Sequence, residues 1–159
     1  MTNRWRLYQA GVVLVLTAAC GRDSSPSAPS APQSFLTGRW TGTVTVEREG
    51  EATTSGPMTW TFTTVPGTNL QTFQVKIESQ HSWLAITTTV TSAITPSNTP
   101  PARISTQGDY PSPRGCTGSL LSVGTATATR IDGDLTGVDC ATLAHSTFRG
   151  SVTLTKTAG

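Results

Sequence analysis

The chain is poor in charge, in aromatic rings and in imidazoles. Of its 159 residues, 13% are charged and 6% aromatic, with two histidines and three cysteines. His81 and His145 are the only imidazole bases, and neither lies in a G-x-S-x-G or H-E-x-x-H frame. His81 reads as a turn residue and His145 as the start of a last strand. Asp132 and Asp134 flank Gly133, and Asp139 follows, but this is not the spacing of a dedicated calcium loop. No catalytic residue, metal or cofactor is therefore expected. Long apolar runs are also lacking. The longest, Leu7–Ala19, has 13 residues and is broken by Tyr8, Gln9 and Thr17, whereas a spanning helix needs about 20. No window repeats apolar residues at i, i+3, i+4 and i+7, which excludes an α-helical domain. The net charge of +2 is carried by Arg4 and Arg6, and the remainder holds nine basic and nine acidic residues. Nucleic acid is thus not an expected partner.

What is present begins with an address. Arg4 and Arg6 precede the apolar run, Ala18 and Ala19 close it, and Cys20 follows. A basic start, a short apolar core and small residues at a cut site are the parts of an export signal. With cysteine at the cut, Leu16-Thr17-Ala18-Ala19-Cys20 resembles a bacterial lipoprotein signal. It differs from the usual pattern in having Thr17 three residues before the cysteine. The resemblance implies a cleaved signal peptide over 1–19 and a lipidated Cys20. Each buried methylene of the acyl chains would contribute about 0.8 kcal/mol to membrane binding. Gly21, where inner-membrane retention of enteric lipoproteins calls for Asp, leans the expected location in the cell envelope toward the outer membrane.

Residues 20–34 are the lipidated cysteine and a stretch dominated by Ser, Ala and Pro. Such a segment has nothing to bury and reads as a disordered, proline-stiffened linker. Residues 35–159 suit one domain with one core. Twenty-nine of them are threonine, a β-branched residue that fits a pleated surface better than a helix.

Period-two alternation is plain in several places. Trp40, Gly42, Val44 and Val46 alternate with Thr41, Thr43, Thr45 and Glu47. Met58, Trp60 and Phe62 repeat the pattern, as do Phe73, Val75 and Ile77, and then Phe148, Gly150, Val152 and Leu154. A further strand is expected from Leu84 toward Ile94, and a short edge strand over Ala102–Thr106. Ser119–Thr129 and Leu135–Cys140 read as a pair turning at Asp132-Gly133, a dipeptide that favours a tight hairpin. Thr95–Gly115 holds Pro96, Pro100, Pro101, Pro111 and Pro113, and reads as a long irregular connection, either a mobile insert or a functional loop. The expectation is an all-β antiparallel domain of seven to eight strands. Its apolar face must be covered by closure into a small barrel or by a β-sandwich. Cys116 and Cys140 are expected to pair, since two thiols in an oxidising compartment usually do. A zinc reading would need a third ligand, for which His145 was the available residue, and no C-x-x-C supports it.

Gly38-Arg39-Trp40 at the head of the first strand resembles the G-x-W signature of lipocalin- and avidin-like (calycin) barrels. The resemblance implies that Trp40 plugs one barrel end and that a basic residue of the last strand, Arg149 or Lys156, lies across it. Gly150-Ser151-Val152-Thr153-Leu154-Thr155 also resembles the ending of Thr-rich bacterial lipoproteins. Neither likeness implies a ligand. Trp60 reads as core, whereas Trp83, out of phase with Leu84 and Ile86, reads as a residue at a pocket mouth, with Tyr110 in the proline-rich stretch as a second such candidate.

Two functions fit these residues. One is a membrane-anchored envelope lipoprotein whose β-domain is a structural or protein-interaction module. The other is a lipocalin-like barrel holding a small apolar or amphipathic ligand. Small residues such as Gly124, Ala126 and Ala128 would either leave a cavity or let larger side chains interdigitate. The first reading is preferred, because no cluster of polar groups marks a ligand.

Overall fold

The computed structural model describes residues 34–140 and 147–158. The expected signal, Cys20 and all of the linker but Ser34 lie outside the described residues, as does His145. Eight strands follow one another: β1 (Gly38–Arg48), β2 (Thr54–Thr64), β3 (Thr72–Ser79), β4 (Thr87–Thr95), β5 (Ala102–Pro111), β6 (Thr117–Ala126), β7 (Arg130–Val138) and β8 (Thr147–Lys156). Each pairs antiparallel with the next, and β8 returns to β1, so the sheet is a closed barrel. The sandwich alternative is thereby excluded. The closing seam runs in register from Trp40↔Lys156 to Arg48↔Phe148.

Alternation supplies the core. The inward apolar side chains of the first three strands, from Trp40 to Ile77, meet Val90, Ile94, Ile104, Leu120, Ile131, Leu135, Val152 and Leu154 from the others. All are buried to 4% exposure or less. A ligand-sized void would leave its lining side chains within reach of a water molecule, and these are not. Phe62 makes edge contacts with Trp40 at 6.4 Å and with Phe73 at 5.9 Å, so one aromatic cluster spans β1, β2 and β3.

Large rings are accommodated by glycines opposite them. Tyr110 pairs with Gly118 and Phe148 with Gly137. A Cβ on Gly118 would stand 2.4 Å from Tyr110 Cζ, and one on Gly137 would stand 2.3 Å from Phe148 Cζ. Each ring therefore lies across its neighbour's bare backbone, a cross-strand arrangement that fills the space a glycine leaves.

Several sequence expectations are corrected. Thr95–Gly115 is not an irregular connection. Ten of its residues form β5, hydrogen-bonded on both sides, so Ala102–Thr106 is not an edge. Its prolines fall in the turns or at the strand's last residue, Pro111, where no ladder donor is lost from the middle. Only its first half is legible in the sequence, because Thr106 and Gly108 take inward places that the others give to apolar residues. Asp132-Gly133 is not a hairpin turn. Both residues lie inside β7, and the turn is at residues 127–129, where Thr127 Oγ1 accepts the Arg130 N–H at 2.9 Å. Ala128 is in that turn and exposed rather than inward. Leu84 and Ile86 precede β4 but keep its inward phase and are buried.

Candidate functional site

The two ends of the barrel are built differently. At one end, Trp40 is fully buried and donates its indole N–H to Leu36 O at 2.8 Å. Lys156 Nζ stands 5.4 Å from the Trp40 ring centroid and donates to Phe35 O. The basic residue that the calycin resemblance implies is thus Lys156. Arg149 is corrected: it points outward from β8, 77% exposed, and pairs with Glu47 at 3.4 Å. Gly38 opens β1 with φ +115, a backbone conformation that favours glycine. This end is a hydrogen-bonded plug.

The opposite end gathers the ends of β1, β3, β5 and β7 with the starts of β2, β4, β6 and β8. Trp83, half-buried in the β3–β4 connection, touches three groups. His81 meets it edge-on at 5.2 Å, Phe148 at 5.5 Å, and the Arg48 guanidinium lies 4.7 Å over its ring. Arg48 is itself held by Glu51, whose two carboxylate oxygens accept from Nη2 at 2.7 and 2.8 Å. His81 sits in a turn as expected, yet it is completely buried. One ring nitrogen, Nε2, lies 2.9 Å from Thr54 Oγ1, and Nδ1 has no partner among the described residues. Burial pushes the His81 pKa below its ordinary value, and the contact with Thr54 offsets this in part.

Tyr110 reaches this end as the next-to-last residue of β5, but it does not line an open mouth. It is 1% exposed and donates its hydroxyl to Asp139 Oδ1 at 3.2 Å. Burial, then the Asp139 charge, hold the phenol well above the usual tyrosine range, and Arg48 opposes the shift. Asp139 is 0% exposed, and Arg114 Nη1 stands 3.8 Å from its Oδ2. Next to it Cys116 and Cys140 form the expected disulfide, with Cα atoms 5.5 Å apart. The bond ties the β5–β6 turn to the chain that leaves β7.

Of the residues singled out from the sequence, Trp83, Tyr110, Cys116 and Cys140 thus come together at one end, and Gly38 and Trp40 at the other. Sequence reasoning missed Arg48, Arg114 and the burial of Asp139. No spacing marks them, because Arg48 ends β1, Arg114 lies in the β5–β6 turn and Asp139 follows β7. Beside this cluster, Arg48, Phe148 and Arg149 line a shallow groove of about 360 Å³ on the rim.

An eight-stranded, up-and-down antiparallel barrel with a filled interior is the class that these features define. Compared with known proteins, the chain matches no family model, no curated sequence and no solved structure.

Proposed function

We propose that the chain is an exported lipoprotein, anchored in the bacterial envelope through lipid on Cys20, with its barrel serving as a structural or protein-interaction module. The filled interior carries the choice of module over ligand carrier. A lipocalin-like carrier needs an apolar space open at one end, and here the inward side chains occupy it. His81, the one imidazole among the described residues, is sealed from solvent, which favours a role without catalysis. The location, toward the outer membrane, rests on the lipoprotein-like segment at residues 16–20 and on Gly21.

The test has two readouts. Wild type is expected to sediment with membranes and Cys20→Ala to be released, and a variant that still sediments would overturn the anchor. In native mass spectrometry the released barrel is expected to carry no small molecule. One discrete apolar adduct would overturn the solid-core module in favour of the ligand carrier.

A further inference from the structure

Asp139 is buried beyond what the described residues around it satisfy. Its Oδ1 accepts from Tyr110, but Oδ2 has no hydrogen-bond partner among the described residues. Arg114 at 3.8 Å is outside hydrogen-bonding range. Burying a carboxylate oxygen in this way is costly unless something pairs with it. The disulfide sulfurs are the neighbours. Cys116 Sγ, Cys140 Sγ and a carboxylate oxygen of Asp139 lie within 4.8 Å of one another. Two ligands of a tetrahedral zinc ion, each about 2.0–2.3 Å from the metal, stand about 3.3–3.8 Å apart. The carboxylate oxygen is therefore within about an ångström of that spacing. The two sulfurs, about 2 Å apart while bonded, must part by about 1.5–2 Å, which side-chain rotation at Cα atoms 5.5 Å apart allows once the bond is broken.

We propose that, once the disulfide is reduced, Cys116, Cys140 and Asp139 bind a thiophilic divalent cation of the zinc class. Disulfide and metal are then alternative closures of the same barrel end. An external dithiol supplies the two electrons. The Sγ–Sγ bond breaks, two thiols form on the protein, and the dithiol is oxidised to its own disulfide. Metal binding releases both thiol protons. Two thiolates and one carboxylate then face a doubly charged ion, and the single positive charge of Arg114 completes neutrality. The Tyr110 hydroxyl holds Oδ1 and so orients the carboxylate, as partners of metal ligands do. The third ligand is Asp139, next to Cys140 in sequence.

The probe is cobalt(II), added to the full chain carrying Cys20→Ala so that only two thiols remain. The protein is reduced with a phosphine, and near-ultraviolet circular dichroism reports its tryptophan packing. One cobalt per chain is expected, with thiolate-to-cobalt charge-transfer absorption, an unchanged dichroism spectrum and displacement by zinc. The oxidised protein should show none of this absorption. Asp139→Asn should weaken cobalt binding at least tenfold. If that variant does not fold, Asp139→Glu replaces it and should change the cobalt ligand-field spectrum. The proposal is overturned if folded, reduced protein binds no cobalt. It is equally overturned if binding requires loss of the dichroism signal, or if the Asp139 variant leaves affinity and spectrum unchanged.

Discussion

At the scale of single residues, His81 carries the clearest pH dependence. Its folded pKa lies below the ordinary value, so the unfolded chain binds a proton first as pH falls. The stability that neutral His81 contributes is complete above the unfolded pKa of about 6.5 and is lost as pH falls through that value toward the folded one. Denaturant midpoints should therefore drop as pH falls below about 6.5. The drop should be shallower in His81→Phe, whatever His145 adds in both proteins, and an identical slope would remove His81 from the account. No residue pattern warns of this burial. A histidine between Gln80 and Ser82 has the look of a solvated turn, and only the three-dimensional closure of the β3–β4 connection over β2 shows otherwise. Trp40 is the opposite case, because its place in a period-two strand already marked it as core.

At the scale of the element, the paired glycine and aromatic ring set the shape of β5, β6, β7 and β8. Gly118→Ala would drive a methyl group into Tyr110 and push its hydroxyl from Asp139. The expected cost is about 1–3 kcal/mol, the usual range for overpacking, read as a lower urea midpoint. A midpoint equal to wild type would mean that the ring is not held there. The disulfide is the second element-scale device. Closing a loop with sequence separation 24 should contribute about 3 kcal/mol in the chain-entropy picture. Reduction in the presence of a chelator should lower the midpoint by that order, and no change would show that the bond is dispensable. The pairing of Cys116 with Cys140 was legible on the reading that Cys20 carries the lipid, which leaves two cysteines in an exported domain. β5 was legible only over Ala102–Thr106, as a short edge strand, because the prolines at both ends and the hydroxyl and glycine inside made the rest look like a loop. The misplaced hairpin has a similar cause. Asp-Gly is a turn signal only where the chain must turn, and here Gly133 instead lies beside Gly124 in a close backbone approach.

At the scale of the whole molecule, the fold class followed from a physical necessity. Eight half-buried strands cannot leave one apolar face wet, and alternation alone foretold that the face would be enclosed. Whether enclosure would be a ring or two layers was not legible. That depends on whether the last strand finds the first, and no local pattern records it. The cluster of Arg48, Trp83, Tyr110, Asp139 and the disulfide was invisible for the same reason: its members converge only after closure. The seam between β1 and β8 has a consequence for how the molecule can be rewired. Seven of the eight strand pairings join consecutive segments, and only this one joins the beginning of the barrel to its end. Trp40 and Lys156 are partners there, so a short peptide can bridge residues 158 and 34, and the chain can be reopened at the exposed turn 127–129. Such a circular permutant should keep the wild-type dichroism spectrum, with its folding rate changed because the contact that was most distant along the chain has become the most local. The order in which the strands are synthesised would then matter to the speed of assembly and not to the form assembled.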